Sequence, residues 1–311
     1  MRQWSAGRVL VPVALAMLAG CGGGGDAGET GARADSAAAD TAAASAPLTA
    51  AIAVTLDNLQ APEAARFDPE LGVYFVANVN GDPSGKDGNG YISRVTREGK
   101  MDSLKFIAGG RGGVKLNGPK GLAIKGDTLW VADIDAARAF DKRSGKPVAT
   151  VDLAGKAKFL NDAAVGPDGA IYFTDSGANL VYRVADGKAT VAVEFKDKPT
   201  PNGIMWDAAR SRFLIVSFGG TSIYSWTPGD SAPAVIAEGP GKMDGIEAVS
   251  DDRFVISNWV DSSLFILQGD SITPLLGGLP SAADIALDAE RGRIAVPLLM
   301  ENRVEFVDLK R

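Results

Sequence analysis

One segment recurs six times between Pro62 and Arg311, and this repeat constrains the fold more than any other feature of the chain. The copies begin APEAARFD, GPKGLAIK, LNDAAVGP, PNGIMWDA, MDGIEAVS and AADIALDA. Aligned on their apolar pattern, one column is polar where its neighbours are apolar: Glu63, Lys120, Asn161, Asn202, Asp244 and Ala283. Successive members lie 57, 41, 41, 42 and 39 residues apart. A period near 40 residues suits the four-stranded blades of a propeller. The long first interval contains an insertion, Asn78 to Gly90 (NVNGDPSGKDGNG).

Within each copy the strand signals come in a fixed order. A first strand follows the polar column. A second is β-branched and aromatic: VYFVAN, TLWVAD, AIYFTD, RFLIVS, RFVISN and RIAVPL. Asp-Pro, Pro-Asp-Gly and Asp-Asp turns often separate the two. A third strand is read in YISRV, LVYRV, SIYSW, SLFIL and RVEFV, and a fourth in ATVAVEF and PAVIAEG. No long amphipathic helical pattern appears, which argues against a parallel α/β barrel. The sixth copy stops after its third strand, whereas LTAAIAVTL (Leu48 to Leu56) is a strand without a repeat of its own. The expected fold is therefore all-β: a six-bladed β-propeller, closed by the N-terminal strand completing the last blade. A seven-bladed ring would need a further repeat that the chain lacks.

The first fifth of the chain is not expected to join this domain. Arg2 and Arg8 precede a short apolar run, Val9 to Leu18, too short to span a bilayer, so residues 1–20 read as a signal peptide. Leu18-Ala19-Gly20-Cys21 looks like a bacterial lipobox, which implies cleavage before Cys21 and lipidation at that residue. Residues 22–47 are nearly all Gly, Ala, Ser, Thr and Asp, a composition that cannot bury apolar surface. They read as a disordered tether reaching about 25–30 Å on average. The propeller, residues 48–311, is then exported and lipid-anchored, touching the membrane through the anchor alone. The same lipoprotein resemblance implies that Gly22, where Asp would favour inner-membrane retention, goes with outer-membrane sorting if the cell is Gram-negative. Cys21 is the only cysteine, so disulfides are excluded. The net charge of −6 and the lack of a basic run make nucleic acid an unsuitable partner. A monomer is expected.

The chain has no histidine. Ser-His-Asp and Cys-His nucleophiles, a His-ligated zinc and a histidine general base are all excluded. No G-x-x-x-x-G-K-[ST] loop is present either. Acid–base chemistry must fall to carboxylates, Lys or Tyr. In a propeller the innermost strands line the central channel, so a column at their start converges on the axis. Glu63, Asn161, Asn202 and Asp244 supply two carboxylates and two amide oxygens, which suits a hard cation. Calcium is the first candidate, with magnesium, manganese or zinc behind it. The competing reading treats Asn202-Gly203 and Asp244-Gly245 as ordinary turn dipeptides.

Four strings carry a family resemblance: PEAARFDPELGVYF, FLNDAAVGPDGAIYF, PNGIMW and KMDGIEAV. On these the domain resembles the senescence-marker-protein/gluconolactonase (regucalcin-like) propellers. The resemblance implies metal ligands at Glu63, Asn202 and Asp244. It implies a catalytic role for Asp244 as general base, and for Asn161 contact with substrate or water. It also implies a small-molecule lactone or ester as substrate. The pattern departs at Phe159, where the family's lactonases often carry a sugar-holding Arg, and at Ala163 and Met243. Lys120 is the main departure. It can pair with Glu63 or Asp244 and replace the metal, contact an anionic substrate beside Asn161, or turn to solvent on its long stem. The reading that follows is a divalent-metal-dependent lactone or ester hydrolase. The alternative is a non-catalytic propeller that binds a protein or glycan at the cell envelope.

Three further signals carry less. Asp87 to Ser93 looks like part of an EF-hand loop, but Gly85 and Thr96 occupy positions that require carboxylates, so it reads as a Gly-rich hairpin. A second column, Asn78, Asp133, Asp175, Ser217, Asn258 and Leu298, ends each second strand and reads as capping, with Asp133 and Asp135 able to shape the pocket mouth. Trp130, Trp206 and Trp259 read as inter-blade core.

Overall fold

The computed structural model describes residues 47–310. The signal peptide, Cys21 and the tether lie outside the described residues, except for Pro47. The strands form six four-stranded antiparallel sheets. In the first, Pro62–Asp68, Val73–Asn78, Tyr91–Thr96 and Met101–Ala108 run in sequence order from the axis outward. Blades two to five repeat this order, with inner strands Pro119–Lys125, Leu160–Val165, Pro201–Asp207 and Met243–Ala248. Among the described residues, no helix is long and apolar enough to cross a membrane.

The sixth sheet closes the ring. Its order places Thr49–Leu56 outermost against Arg303–Lys310, then Arg293–Leu298, then the short inner strand Ala286–Asp288. Thr49 pairs with Lys310 and Leu56 with Val304, and Thr55 Oγ1 donates to Glu305 Oε2 at 2.5 Å. The N-terminal strand thus supplies the fourth strand that the last repeat lacks. On the axial side, Ala282 and Ala283 still pair with Leu298 and Pro297 of their own blade, whereas Asp284 bridges to the first blade. Asp284 N donates to Glu63 O at 3.0 Å and Ala65 N to Asp284 O at 3.1 Å.

Apolar residues of facing blades pack in clusters at each of the six blade junctions. Blades two and three share Leu160, Phe173 and Val151, and blades six and one share Tyr74, Val304 and Phe306. The alternation of each strand therefore buries both faces between neighbours, and the inner edges are left for polar chemistry.

Candidate functional site

The five inner strands that carry a polar column residue share one local irregularity. Their pairing with the second strand slips between Pro62 and Ala64, Pro119 and Leu122, Leu160 and Ala163, Pro201 and Ile204, and Met243 and Ile246. Each slip spans the column residue. A bulge of this kind re-aims a side chain while leaving the rest of the strand in register. Backbone groups freed by the slips take side-chain partners. Thr174 Oγ1 accepts from Asp162 N and donates to Asn202 O of the next blade. Ser257 Oγ accepts from Gly245 N and donates to Ala283 O. Hydroxyls of the second strands thus staple one blade's bulge to the next.

Asn202-Gly203 and Asp244-Gly245 lie within strands, and neither glycine has positive φ, so the turn reading of these dipeptides does not hold. The glycines instead permit close approach of inner strands. A Cβ on Gly245 would lie 2.6 Å from Ile285 N and 2.8 Å from Asp284 Cα. One on Gly203 would collide with the Asp244 carbonyl, and one on Gly121 with the backbone of Asp162.

Glu63, Lys120, Asn161, Asn202 and Asp244 all line one cavity of about 420 Å³. Ala283 is fully buried and contributes nothing to it; Leu299 lines that side instead. Three oxygens in the cluster, Glu63 Oε2, Asn202 Oδ1 and Asp244 Oδ1, are buried without a hydrogen-bond partner. An unpaired buried acceptor costs about 1–3 kcal/mol, so three from one cluster is a concentration of unmet demand. Asn161 is better supported: its Nδ2 donates to Ser176 Oγ at 3.0 Å, and that hydroxyl donates to Pro201 O at 2.6 Å.

The electrostatics follow from burial. Burial and the Asp162 charge push the Asp244 carboxyl up to about 8. The Trp259 indole and Asn202 amide lie near enough to oppose this, but neither makes a hydrogen bond of normal geometry with it. Burial raises Glu63 well above the ordinary carboxylate range, Asp244 raises it further, and Lys120 acts against both. With no cation present both carboxyls favour the neutral form, and a cation among them would favour ionisation. Among the described residues no three His, Cys, Asp or Glu side chains could hold a metal together. A cation here therefore needs the amide oxygens as well as Glu63 and Asp244.

Lys120 is 1% exposed, which removes the solvent-turned reading. Its ammonium donates to Pro83 O and Gly118 O, both at 2.9 Å, and lies 4.2 Å from the centre of the Phe159 ring. It forms no salt bridge with Glu63 or Asp244. Pro83 belongs to the insertion, so Lys120 pins the insertion against the cavity. Burial lowers its pKa, and Glu63 acts against that. A second pin is the ion pair of Lys86 with Asp135, at 2.5 Å.

The second column caps the loops that feed the site. Asp175 accepts from Lys158 N and Phe159 N at 2.8 and 2.9 Å, and Asp133 from Asn117 N and Gly118 N, both at 2.9 Å. Asn258 Nδ2 donates to Gly241 O. These capping contacts set where Phe159 and the Lys120 acceptor Gly118 O lie. Asp133 and Asp135 do not line the cavity. In the insertion, Asp87 is satisfied by Asn89, whose backbone and side-chain nitrogens donate to its two oxygens.

The tryptophans divide. Trp130 packs on the junction of blades two and three, as expected for core. Trp206 packs on Phe213 and also borders a separate cavity of about 520 Å³ with Arg66 and Glu247. Trp259 departs from the core reading. It sits just past the strand Arg253–Asn258, half-buried, and lines the site with Phe159 and Phe218.

The next layer along the inner strands was invisible as a cluster in the sequence. Asp162 Oδ1 and Oδ2 accept from Ala163 N and Ile204 N at 2.6 and 2.8 Å. Burial raises the pKa of both Asp162 and Asp284, and the Asp162 charge raises that of Asp284 further. Arg66 compensates this layer, pairing with Glu247 at 2.5 Å and approaching Asp284 at 3.6 Å. Asp162 and Asp284 escaped notice because the repeat aligns them with the small residues Ala64, Gly121, Gly203 and Gly245.

Solved structures share this fold. A streptogramin B lyase superposes with a TM-score of 0.62 at 13% identity, covering 85% of this chain and 98% of its own. A catalytically inactive histidine-to-alanine variant of virginiamycin B lyase from Staphylococcus aureus, with quinupristin, gives 0.58 at 15% identity, covering 84% and 99%. A structural-genomics protein of unknown function from Bacteroides thetaiotaomicron gives 0.61 at 13% identity, covering 85% and 76%. No family model matches the chain, and no curated protein sequence matches it.

Proposed function

We propose that the chain is a divalent-cation-dependent hydrolase of lactones or esters, built like the regucalcin-like propellers its motifs resemble. One observation carries this reading. Glu63 Oε2, Asn202 Oδ1 and Asp244 Oδ1 lie buried and unpaired around a single cavity. These atoms belong to the three residues named as ligands by the resemblance. They would hold the ion, which when bound polarises a carbonyl and acidifies water. Calcium remains the first candidate, since carboxylate and amide oxygens are hard donors.

The chain's own groups divide the remaining work. Asp244, the most strongly placed base in a chain without histidine, takes the proton of the attacking water and returns it to the leaving oxygen. Asn161, its amide oriented by Ser176, positions the substrate or the water. Lys120 holds the insertion over the cavity. Lyase chemistry resting on a histidine has no support here, because the chain contains none. The N-terminal segment fits delivery to the cell envelope, with lipid at Cys21 and residues 22–47 as tether.

The reading is tested by elemental analysis and calorimetry of the purified domain. About one divalent ion per chain is expected, and Glu63→Gln and Asn202→Ala should each weaken it by tenfold or more. A domain that binds no divalent ion by either method sinks the proposal and favours the non-catalytic propeller. Lys120→Met should bind the ion more tightly, by roughly tenfold, because one nearby positive charge is gone. It should also lower stability by about 1–3 kcal/mol, because Pro83 O and Gly118 O lose their donor. If Lys120→Met instead binds the ion no better than the parent, the ammonium is not felt at the site.

A further inference from the structure

The walls of the cavity are chemically unlike its polar cluster. Phe159, Phe218, Trp259, Leu299 and Pro83 make up most of the remaining lining. Phe218 and Trp259 pack edge to face with centroids 5.4 Å apart, and Phe159 is fixed by the ammonium above it and the Asp175 contact behind it. All three rings are half-buried, line the cavity and lie outside the apolar clusters of the blade junctions. The hydroxyls are few. Ser176 Oγ is already occupied by Asn161 and Pro201, which leaves Thr200. With the ion seated on Glu63, Asn202 and Asp244, a ligand rich in hydroxyls would leave most of them against aromatic carbon. A flat apolar ring would meet aromatic carbon from three side chains. The volume of about 420 Å³ is in the range that small-molecule sites use.

We propose that this cavity selects carbonyl substrates carrying an aromatic ring, such as benzo-fused lactones and aryl esters, and rejects polyhydroxylated sugar-acid lactones. The inference rests on the hydrolase reading for its reaction and on the walls for its selectivity. The reaction is redox-neutral: water adds across the acyl C–O bond, hydroxide going to the acyl carbon and the proton to the leaving oxygen. The insertion that supplies Pro83 completes the apolar enclosure.

Two six-membered lactones test the idea: dihydrocoumarin, which releases a phenol oxygen, and glucono-δ-lactone, which releases an alcohol oxygen, each kcat/KM being divided by that lactone's own rate of uncatalysed hydrolysis. With the ion-loaded domain, kcat/KM is expected to favour dihydrocoumarin by at least about a hundredfold. Phe218→Ser and Phe159→Ser, checked for an unchanged melting midpoint, should reduce that preference at least tenfold through KM, with kcat within threefold. A second readout needs neither ion nor turnover. The benzo-fused lactam matching dihydrocoumarin should quench tryptophan fluorescence of the metal-free domain, and the quench should vanish in Trp259→Phe. If glucono-δ-lactone is hydrolysed as well or better, the selectivity inference fails and the hydrolase reading stands. If neither lactone is turned over yet the lactam binds at Trp259, the hydrolase reading fails and the aromatic site stands. If the lactam does not bind, the aromatic site is overturned.

Discussion

Asp244→Asn should lower kcat/KM for the preferred lactone by about 10²- to 10⁴-fold, the range over which a positioned general base contributes. The substitution keeps the size of the side chain and removes only its charge and basicity. It also removes a carboxylate from the proposed ion seat, so ion affinity should fall with it. A pH series of thermal melts follows the second effect. In the ion-free fold the Asp244 carboxyl titrates at about 8 against an ordinary value of 3.8. Between those values the folded chain holds a proton that the unfolded chain has lost. Stability of the ion-free domain therefore declines as pH rises from about 4 to about 8, and Glu63 adds to the same trend. Asp244→Asn should flatten that decline in thermal melts. In the parent, the gain in melting midpoint on adding the ion should grow with pH over the same window, because protons compete for the donors. A parent whose ion-free stability rises with pH through this window would show that these carboxyls are ionised in the fold.

Gly245→Ala should destabilise the domain although it adds a single methyl group. The added carbon would meet Ile285 N at 2.6 Å and Asp284 Cα at 2.8 Å, both on backbone of the neighbouring inner strand. Backbone cannot swing aside as a side-chain tip can, so the two inner strands must separate. Overpacking of this kind typically costs 1–3 kcal/mol, or a fall in midpoint of roughly 2–6 °C in a domain this size. The displacement falls on the residue after Asp244 and against the Asp284 layer, so ion affinity should drop together with stability. Gly277→Ala is the matched control. A Cβ there meets nothing within 4 Å, and its melt should be indistinguishable from the parent. If Gly245→Ala melts like Gly277→Ala, the inner strands are not held as closely as described.

The repeat made most of the fold legible. Its period, the order of strand signals inside it, the truncated last copy and the unassigned strand Leu48 to Leu56 together specified six blades and the manner of their closure. The polar column was legible because a repeat places equivalent residues at equivalent radii, and five of its six members do reach one cavity. Local chemistry misled where the sequence context was ambiguous. Asn-Gly and Asp-Gly are common in turns, yet here the glycines serve strand approach within a bulge. Trp259 follows a β-branched run and so looked like core, but the strand ends one residue earlier and the ring turns toward the axis. Lys120 carried three open readings because a long stem can lie in several directions. Two backbone carbonyls, one of them from an insertion distant in sequence, decided among them.

The sequence by itself determined the blade count, the closing strand and the membership of the polar column, because periodicity is a local property that survives without coordinates. Only the tertiary structure decided which members are satisfied and which are not. Lys120 and Asn161 found partners across loops and blades, whereas Glu63, Asn202 and Asp244 were each left with a buried, unpaired oxygen. Pairing depends on how the bulges of neighbouring blades meet at the axis, and the sequence spacing of the repeats does not encode that distance.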